Sequence, residues 1–333
     1  MNKLRIKNLI ILLVVFTSLF LFACGKNDSD DESLAISSAK PDDTTITISE
    51  SEILSYLDES SCMWEFVQRF FDDIIIYKTK LGTWAYEPVD ETLPKSNYDW
   101  DNLRHAGPIA LTEWEYYEGS ELKSIKGIDI SQYNAVVDWN KVKSDGVEFV
   151  ILRAGYRGYG TGKLTADTKF LEYAKGAYDA GINLGVYFVT QAVSVDEAIE
   201  EAEFVLDLMK ESGAEFTWPI ALDLEDAASA DARTANLDKE TRTEYIIAFC
   251  ERIKEAGYNP MLYAAIRWYI EEMDLSRLTD YNKWFAQYFN RPFFPYEFQI
   301  WQYTSSGKVD GIDGNVDLDL CFVNYNEKES SGE

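Results

Sequence analysis

Glu148-Phe-Val-Ile-Leu-Arg-Ala154, Asn183-Leu-Gly-Val-Tyr-Phe-Val-Thr190 and Pro219-Ile-Ala-Leu-Asp-Leu-Glu225 are short, mostly apolar runs rich in β-branched residues. Runs of this length and composition read as strands. Amphipathic stretches near 167–180 and 195–212 separate them and read as helices, and a third helical stretch, 239–256, leads into Pro260-Met-Leu-Tyr-Ala-Ala265. Gly181 and Gly257 stand just past two of these helices, where a left-handed C-cap needs a glycine. Gly127-Ile-Asp-Ile-Ser131 supplies an earlier strand. Strand and helix in alternation specify a parallel sheet with right-handed crossovers. Beyond 265 the pattern changes: strand-like runs at 283–289, 298–304 and 315–322 are joined by connections too short for full helices. The expected fold is α/β, a modified TIM-like barrel with about five β/α units followed by three strands lacking full helices. Chemistry in such barrels sits at the C-terminal ends of the strands.

Acidic residues fall at those ends. Asp129 is in the first strand, Asp223 and Glu225 close the fourth, and Asp317 is in the last. Strand residues i and i+2 share a face, so Asp223 and Glu225 point the same way, about 6–7 Å apart by strand rise. Two ionised acids at that spacing repel, which raises the pKa of one and makes it a general acid at neutral pH. Glycosidic cleavage needs such an acid and a carboxylate near the anomeric carbon. Glu197, Glu200, Glu201 and Glu203 instead read as a solvated helix face.

The composition removes competing chemistries. The one histidine, His105, lies outside the barrel segment, so no Ser-His-Asp triad, Cys-His peptidase or His-ligated zinc site is available there. The glycine-rich Gly155–Gly162 lacks the Lys-Ser/Thr of a phosphate-binding loop and reads as a mobile loop at a strand end. A net charge of −27 repels phosphate backbones and argues against nucleic acid. No cofactor or metal is implied. Aromatic residues, 14% of the chain, suit both a core and the stacking of sugar rings.

The N-terminus has the layout of a secretory signal over residues 1–23. Lys3, Arg5 and Lys7 precede an apolar run from Leu9 to Ala23 that is short for a membrane span. The small residue before Cys24 resembles a bacterial lipobox, so Cys24 is expected to carry lipid and to anchor the chain outside the cell membrane. Cys62, Cys250 and Cys321 are then left, an odd number and widely spaced, with no disulfide framework or zinc pattern. Residues 24–50, rich in Asp, Ser and Thr, read as an acidic flexible tether. Residues 51–122 are an N-terminal region of unknown role and without a motif, read as a small subdomain or a brace lying on the main domain; within it Trp64, Val67, Phe70 and Phe71 fall at helical spacing. The barrel domain is placed at 123–325, and 326–333 is a polar tail.

Eight motifs then stand in a familiar order: Gly127-Ile-Asp-Ile-Ser131, Phe149-Val-Ile-Leu-Arg-Ala154, Leu184-Gly-Val-Tyr-Phe188, Ala221-Leu-Asp-Leu-Glu225, Pro260-Met-Leu-Tyr263, Trp284-Phe-Ala-Gln-Tyr288, Ile300-Trp-Gln-Tyr303 and Gly314-Asn-Val-Asp-Leu318. Over this span the sequence resembles family 25 glycoside hydrolases, lysozymes of the N-acetylmuramidase type. The resemblance implies cleavage of the β-1,4 bond between N-acetylmuramic acid and N-acetylglucosamine in peptidoglycan. It implies Glu225 as acid/base, Asp223 as the carboxylate that orients the reacting acetamido group, and Asp129 and Asp317 as further active-site acids. It also implies Tyr187, Arg153, Tyr263, Trp301 and Tyr303 along the sugar groove. One departure is Val189-Thr-Gln-Ala192, where the family often has a histidine. A glycan-binding lipoprotein without catalysis and a hydrolase of chitin-like glycans are the alternative readings.

Overall fold

The computed structural model describes residues 73–106, 113–134, 136–227 and 229–326, two short strands nearer the N-terminus, and residues 65, 68 and 69. The expected signal segment, Cys24, the helical set Trp64, Val67, Phe70 and Phe71, and the tail beyond 326 lie outside the described residues. The chain divides into two units, Met1–Phe70 and Phe71–Glu333. In the first, β1 (Leu34–Ser37) pairs antiparallel with β2 (Thr45–Ile48), within the stretch expected to be a tether.

The second unit begins with a hairpin of β3 (Ile74–Lys78) and β4 (Trp84–Pro88). A small antiparallel sheet of β5 (Leu103–His105), β6 (Trp114–Glu118) and β7 (Glu121–Leu122) follows. The barrel then runs β8 (Ile125–Ile130), α1 (Trp139–Ser144), β9 (Phe149–Arg157), β10 (Leu164–Ala166), α2 (Phe170–Asp179), β11 (Asn183–Val189), α3 (Val195–Ser212), β12 (Ile220–Leu224), α4 (Lys239–Glu255), β13 (Pro260–Ala265), β14 (Asn282–Ala286), β15 (Ile300–Gly307) and β16 (Val316–Cys321). Eight strands close it, in the order β8, β9, β11, β12, β13, β14, β15, β16 and back to β8, while β10 folds onto the end of β9. The fifth β/α unit is reduced to a π-helical turn, Trp268–Glu272, and a 3-10 turn, Leu275–Arg277.

β16 departs from the parallel pattern and runs antiparallel to both β15 and β8. The link between β15 and β16 covers only 308–315. A parallel crossover needs about a dozen residues or more, so this strand has to return in the opposite sense. The helices start and stop where local chemistry dictates. Ser194 accepts from Glu197 N at the head of α3 and Asp238 from Thr241 N at the head of α4. Gly213 ends α3 with φ 67°.

Strand alternation sorts the side chains. Phe149, Ile151, Trp218, Ala221, Met261, Trp284, Ile300 and Cys321 form an apolar plug inside the barrel, with the Phe149 ring stacked on Trp218 at 4.1 Å. Gly127 faces the Phe149 ring so closely that a Cβ there would lie 2.0 Å from it. Ile128, Leu152, Val186, Phe188, Leu222 and Leu262 belong instead to the larger outer core, which includes the buried faces of α2, α3 and α4.

Where helices are missing, residues 73–122 take their place. The ring of Trp100 stacks on Phe298, 5.8 Å away, Tyr98 lies 4.5 Å from Phe322, and Tyr116 meets Phe322 edge-on. Main-chain hydrogen bonds Ser96 N to Pro295 O (2.9 Å) and Glu297 N to Pro94 O (3.0 Å) tie the two segments together. Tyr98 OH also donates to Phe298 O. This covering continues the outer core over the last three strands.

Candidate active site

Above the apolar plug the barrel interior turns polar. Asp129 on β8, Arg153 on β9, Tyr187 on β11, Asp223 on β12, Tyr263 on β13, Trp284 on β14, Gln302 on β15 and Asp317 on β16 line one cavity of about 230 Å³. Glu225, one residue beyond β12, and Tyr288, beyond β14, complete its rim. The four acids expected from the sequence thus converge. A wider, shallower groove at 136–141, 309–313 and the end of α2 includes none of them.

The acids are held unequally. Asp223 is buried, its backbone carbonyl accepts from Thr190 N, and its Oδ1 has no hydrogen-bond donor. Burial raises its pKa first and the Glu225 charge second, against the pull of Arg153. Glu225 itself is open to solvent at the mouth. Protein crowded around its carboxyl still raises its pKa, with Arg153 opposing and Asp226 adding. Repulsion within the pair, the reason offered by the sequence, is therefore secondary to burial.

Asp129 Oδ2 accepts from Gln302 Nε2 at 2.7 Å, and Gln302 Oε1 in turn accepts from Tyr263 OH at 2.8 Å and Tyr288 OH at 2.9 Å. Burial raises Asp129 well above the usual carboxylate range, helped by Asp319 and Asp317. Burial also raises Asp317. Arg153 donates from Nε to Asp167 Oδ2 at 2.8 Å and lies over the Tyr133 ring, while its Nη2 has no acceptor. A guanidinium fixed at one edge and unsatisfied at another is set to take an acceptor from a ligand.

Two expected groove residues lie elsewhere. Trp301 and Tyr303 are buried on the outer side of β15, 5.4 Å apart, and Trp301 Nε1 donates to Gln287 O. Their intervening neighbour Gln302 faces the cavity instead. Without helices outside β15 the outer surface needs aromatic bulk, and period-two alternation then gives the inside to Ile300 and Gln302. Tyr187 and Tyr263 do line the cavity, around Trp284 at 6.1 and 4.5 Å. Gln302, Trp284, Tyr288 and Asp319 were missed by sequence reasoning.

The acidic face of α3 is also corrected. Glu201 has no exposed surface: it accepts from Arg157 Nε at 2.7 Å and from Thr190 Oγ1 at 2.7 Å. Arg157 also reaches Glu200, Glu197 meets Arg233, and Glu203 meets Arg252. A basic residue at the end of β9 turns one glutamate of this face inward, because a buried carboxylate needs such a partner.

A family model described as glycosyl hydrolases family 25 matches residues 128–312. The chain belongs to this family. It is similar to the autolytic lysozyme of Clostridium acetobutylicum, 29% identical over 198 residues that cover 59% of this chain and 55% of that protein. It is also similar to lysozyme M1 of Streptomyces globisporus, 24% identical over 214 residues, 60% of this chain and 68% of that one. The solved structure of the modular autolysin LytC from Streptococcus pneumoniae superposes with a TM-score of 0.53 at 25% identity, covering 75% of this chain and 57% of LytC. The chain spans little more than half of the autolytic lysozyme and of LytC. For a family 25 member, eight strands with a reduced fifth unit and a carboxylate-lined cavity at the strand ends form one consistent arrangement.

Proposed function

We propose that this protein is an extracytoplasmic peptidoglycan hydrolase that cleaves the β-1,4 bond between N-acetylmuramic acid and N-acetylglucosamine. The observation that carries the reading is the pairing of a buried, unpartnered oxygen on Asp223 with an accessible acid of raised pKa on Glu225. An acetamido N–H on the sugar is the donor that Asp223 Oδ1 lacks. Holding that N–H turns the acetamido oxygen toward the anomeric carbon, where it replaces a protein nucleophile. Glu225 protonates the leaving oxygen and then, as carboxylate, takes a proton from the incoming water. Asp129 and Asp317 stabilise positive charge that develops on the ring, and Arg153 Nη2 binds an acceptor of the glycan. The family membership and the resemblance of the motifs support this order of roles, and a LytC structure was solved with a synthetic peptidoglycan ligand. Mass spectrometry of wall digested by the full mature chain tests it. The expected products are muropeptides with a new reducing N-acetylmuramic acid end. Release from chitin oligomers alone, or binding without turnover, would overturn the assignment.

The same reading places the enzyme on the outer side of the membrane, anchored through lipid on Cys24. Support comes from the basic, apolar and small-residue order of residues 1–24. Two acyl chains suffice for stable anchoring. Metabolic labelling with a fatty-acid analogue is expected to mark the wild type and to be lost in Cys24→Ala. Equal labelling of both would refute the anchor.

A further inference from the structure

Asp319 lies one inward-facing position below Asp317 on β16, beside Gly127 across the strand pair. It has no exposed surface. Its Oδ1 accepts from Trp284 Nε1 at 2.8 Å. Its Oδ2 meets no hydrogen-bond donor, and the antiparallel register sets the Asp129 carboxyl one diagonal step away on the same inward face. Two ionised carboxyl groups on one buried face are both acceptors, and neither can satisfy the other unless a proton lies between them. The donors that the two acids do have are neutral, Trp284 for Asp319 and Gln302 for Asp129. The Asp317 charge adds repulsion to Asp319, and among the described residues neither Asp319 nor Asp129 forms an ion pair. Around Asp129 stand Gln302 from β15, Asp317 from β16 and Asp223 from β12. Tyr187 from β11 faces the same acids, and Arg153 from β9 acts on Asp223 and Tyr187. A doubly ionised pair in this apolar floor would be strongly disfavoured, as in any close carboxylate dyad.

We propose that Asp319 and Asp129 hold one proton between them, and that Asp319 is thereby a positioning residue that fixes the Asp129 carboxyl at the floor of the cavity. Burial raises both acids well above the usual carboxylate range, which agrees with this. The Asp129 carboxyl is then held from two sides, by Gln302 and by Asp319. The shared proton also limits the pair to one negative charge beneath the substrate. The catalytic part of this inference rests on the hydrolase reading above, whereas the shared proton does not.

Carbon-13 NMR of aspartate-labelled full-length protein tests the proton directly. At neutral pH the wild type is expected to show one protonated carboxyl signal that disappears in Asp319→Asn and equally in Asp129→Asn. If the signal lost is that of an ionised carboxylate, the shared proton is refuted, whatever the enzyme does to glycan. Activity tests the positioning. Asp319→Asn keeps a donor to Asp129 and should hold kcat within about 3-fold of wild type, whereas Asp319→Leu should lose about 10- to 100-fold in kcat with little change in KM, the scale of a displaced catalytic group. Circular dichroism checks that both variants fold. Equal activity of the two folded variants, at any level, would overturn the positioning role, and an unfolded Asp319→Leu leaves the NMR outcome and the activity of Asp319→Asn to decide.

Discussion

Glu225→Gln will lower turnover on peptidoglycan by roughly 100- to 10,000-fold, the contribution usual for a positioned general acid. Glutamine has nearly the same shape and keeps a hydrogen-bond donor toward the glycosidic oxygen, but it cannot release a proton. Glu225 sits at the solvent-open mouth, past the end of β12, so the substitution costs little stability. Glycan affinity should remain within a few-fold, because Arg153 and the aromatic walls are untouched. The pH profile carries a second expectation. Crowding raises the Glu225 pKa above its ordinary value of 4.5, so the protonated, active form persists to higher pH than for a solvated glutamate. The alkaline limb of kcat against pH should therefore fall above the usual carboxylate range and vanish with the residual activity of the variant. Muropeptide release, thermal melts and glycan binding measured side by side check this. A variant within ten-fold of wild type in turnover would remove Glu225 from the mechanism.

Deleting residues 73–122 will leave the remaining barrel unfolded or aggregated, even though every acid of the cavity is retained. The reason is the aromatic surface outside β14, β15 and β16. Phe298 and Phe322 lie under Tyr98, Trp100 and Tyr116, and Trp301 and Tyr303 are buried beside them. Uncovering such rings costs about 3–5 kcal/mol for each large aromatic removed, against a total stability of about 5–15 kcal/mol for an ordinary domain. The exposed strip would also be a contiguous apolar patch of the kind that drives association. Trp100→Ala is the milder form of the same test and should cost about 3–5 kcal/mol in denaturant unfolding. Soluble 123–326 with the melting temperature of the longer chain would show that the covering is dispensable. A corollary is practical: assays of the barrel should use protein that includes residues 73–122.

Most of the architecture was legible because the strands are short, β-branched and separated by helices with clear ends. The runs at 148–154, 183–190 and 219–225 all became strands, and so did the three that follow 265. The antiparallel return of β16 was present in the short 308–315 link, whose length forbids a crossover. Harder to see was which side of each late strand faces inward. Ile300-Trp-Gln-Tyr303 offers two phases, and the aromatic pair suits a sugar groove as well as a core. Only the covering by residues 73–122 decides it, and a covering assembled from a distant segment leaves no periodic trace in the strand itself. Asp319 was hidden for a related reason. Asp317 and Asp319 share a face by the same spacing as Asp223 and Glu225. But β12 runs toward the mouth and β16 away from it, so the second acid of one pair is exposed and that of the other lies at the floor. Spacing gives the face; depth comes from strand direction.

The pairing of β8 with β16 has a consequence in time. Gln302 meets Asp129 across 173 positions, and Tyr296 meets Asp90 across 206. The ribosome delivers Asp129 188 residues before Asp317. Contacts this remote in sequence form late and slowly, after the intervening helices and strands have folded. Until β16 is in place the barrel has a gap between β15 and β8, Asp129 lacks its partners across it, and the rings of Tyr98 and Tyr116 lack Phe322. A chain that stops short of β16 thus lacks a complete site, and on the proposed reading the power to cut glycan would arrive in one step with the closing of the ring.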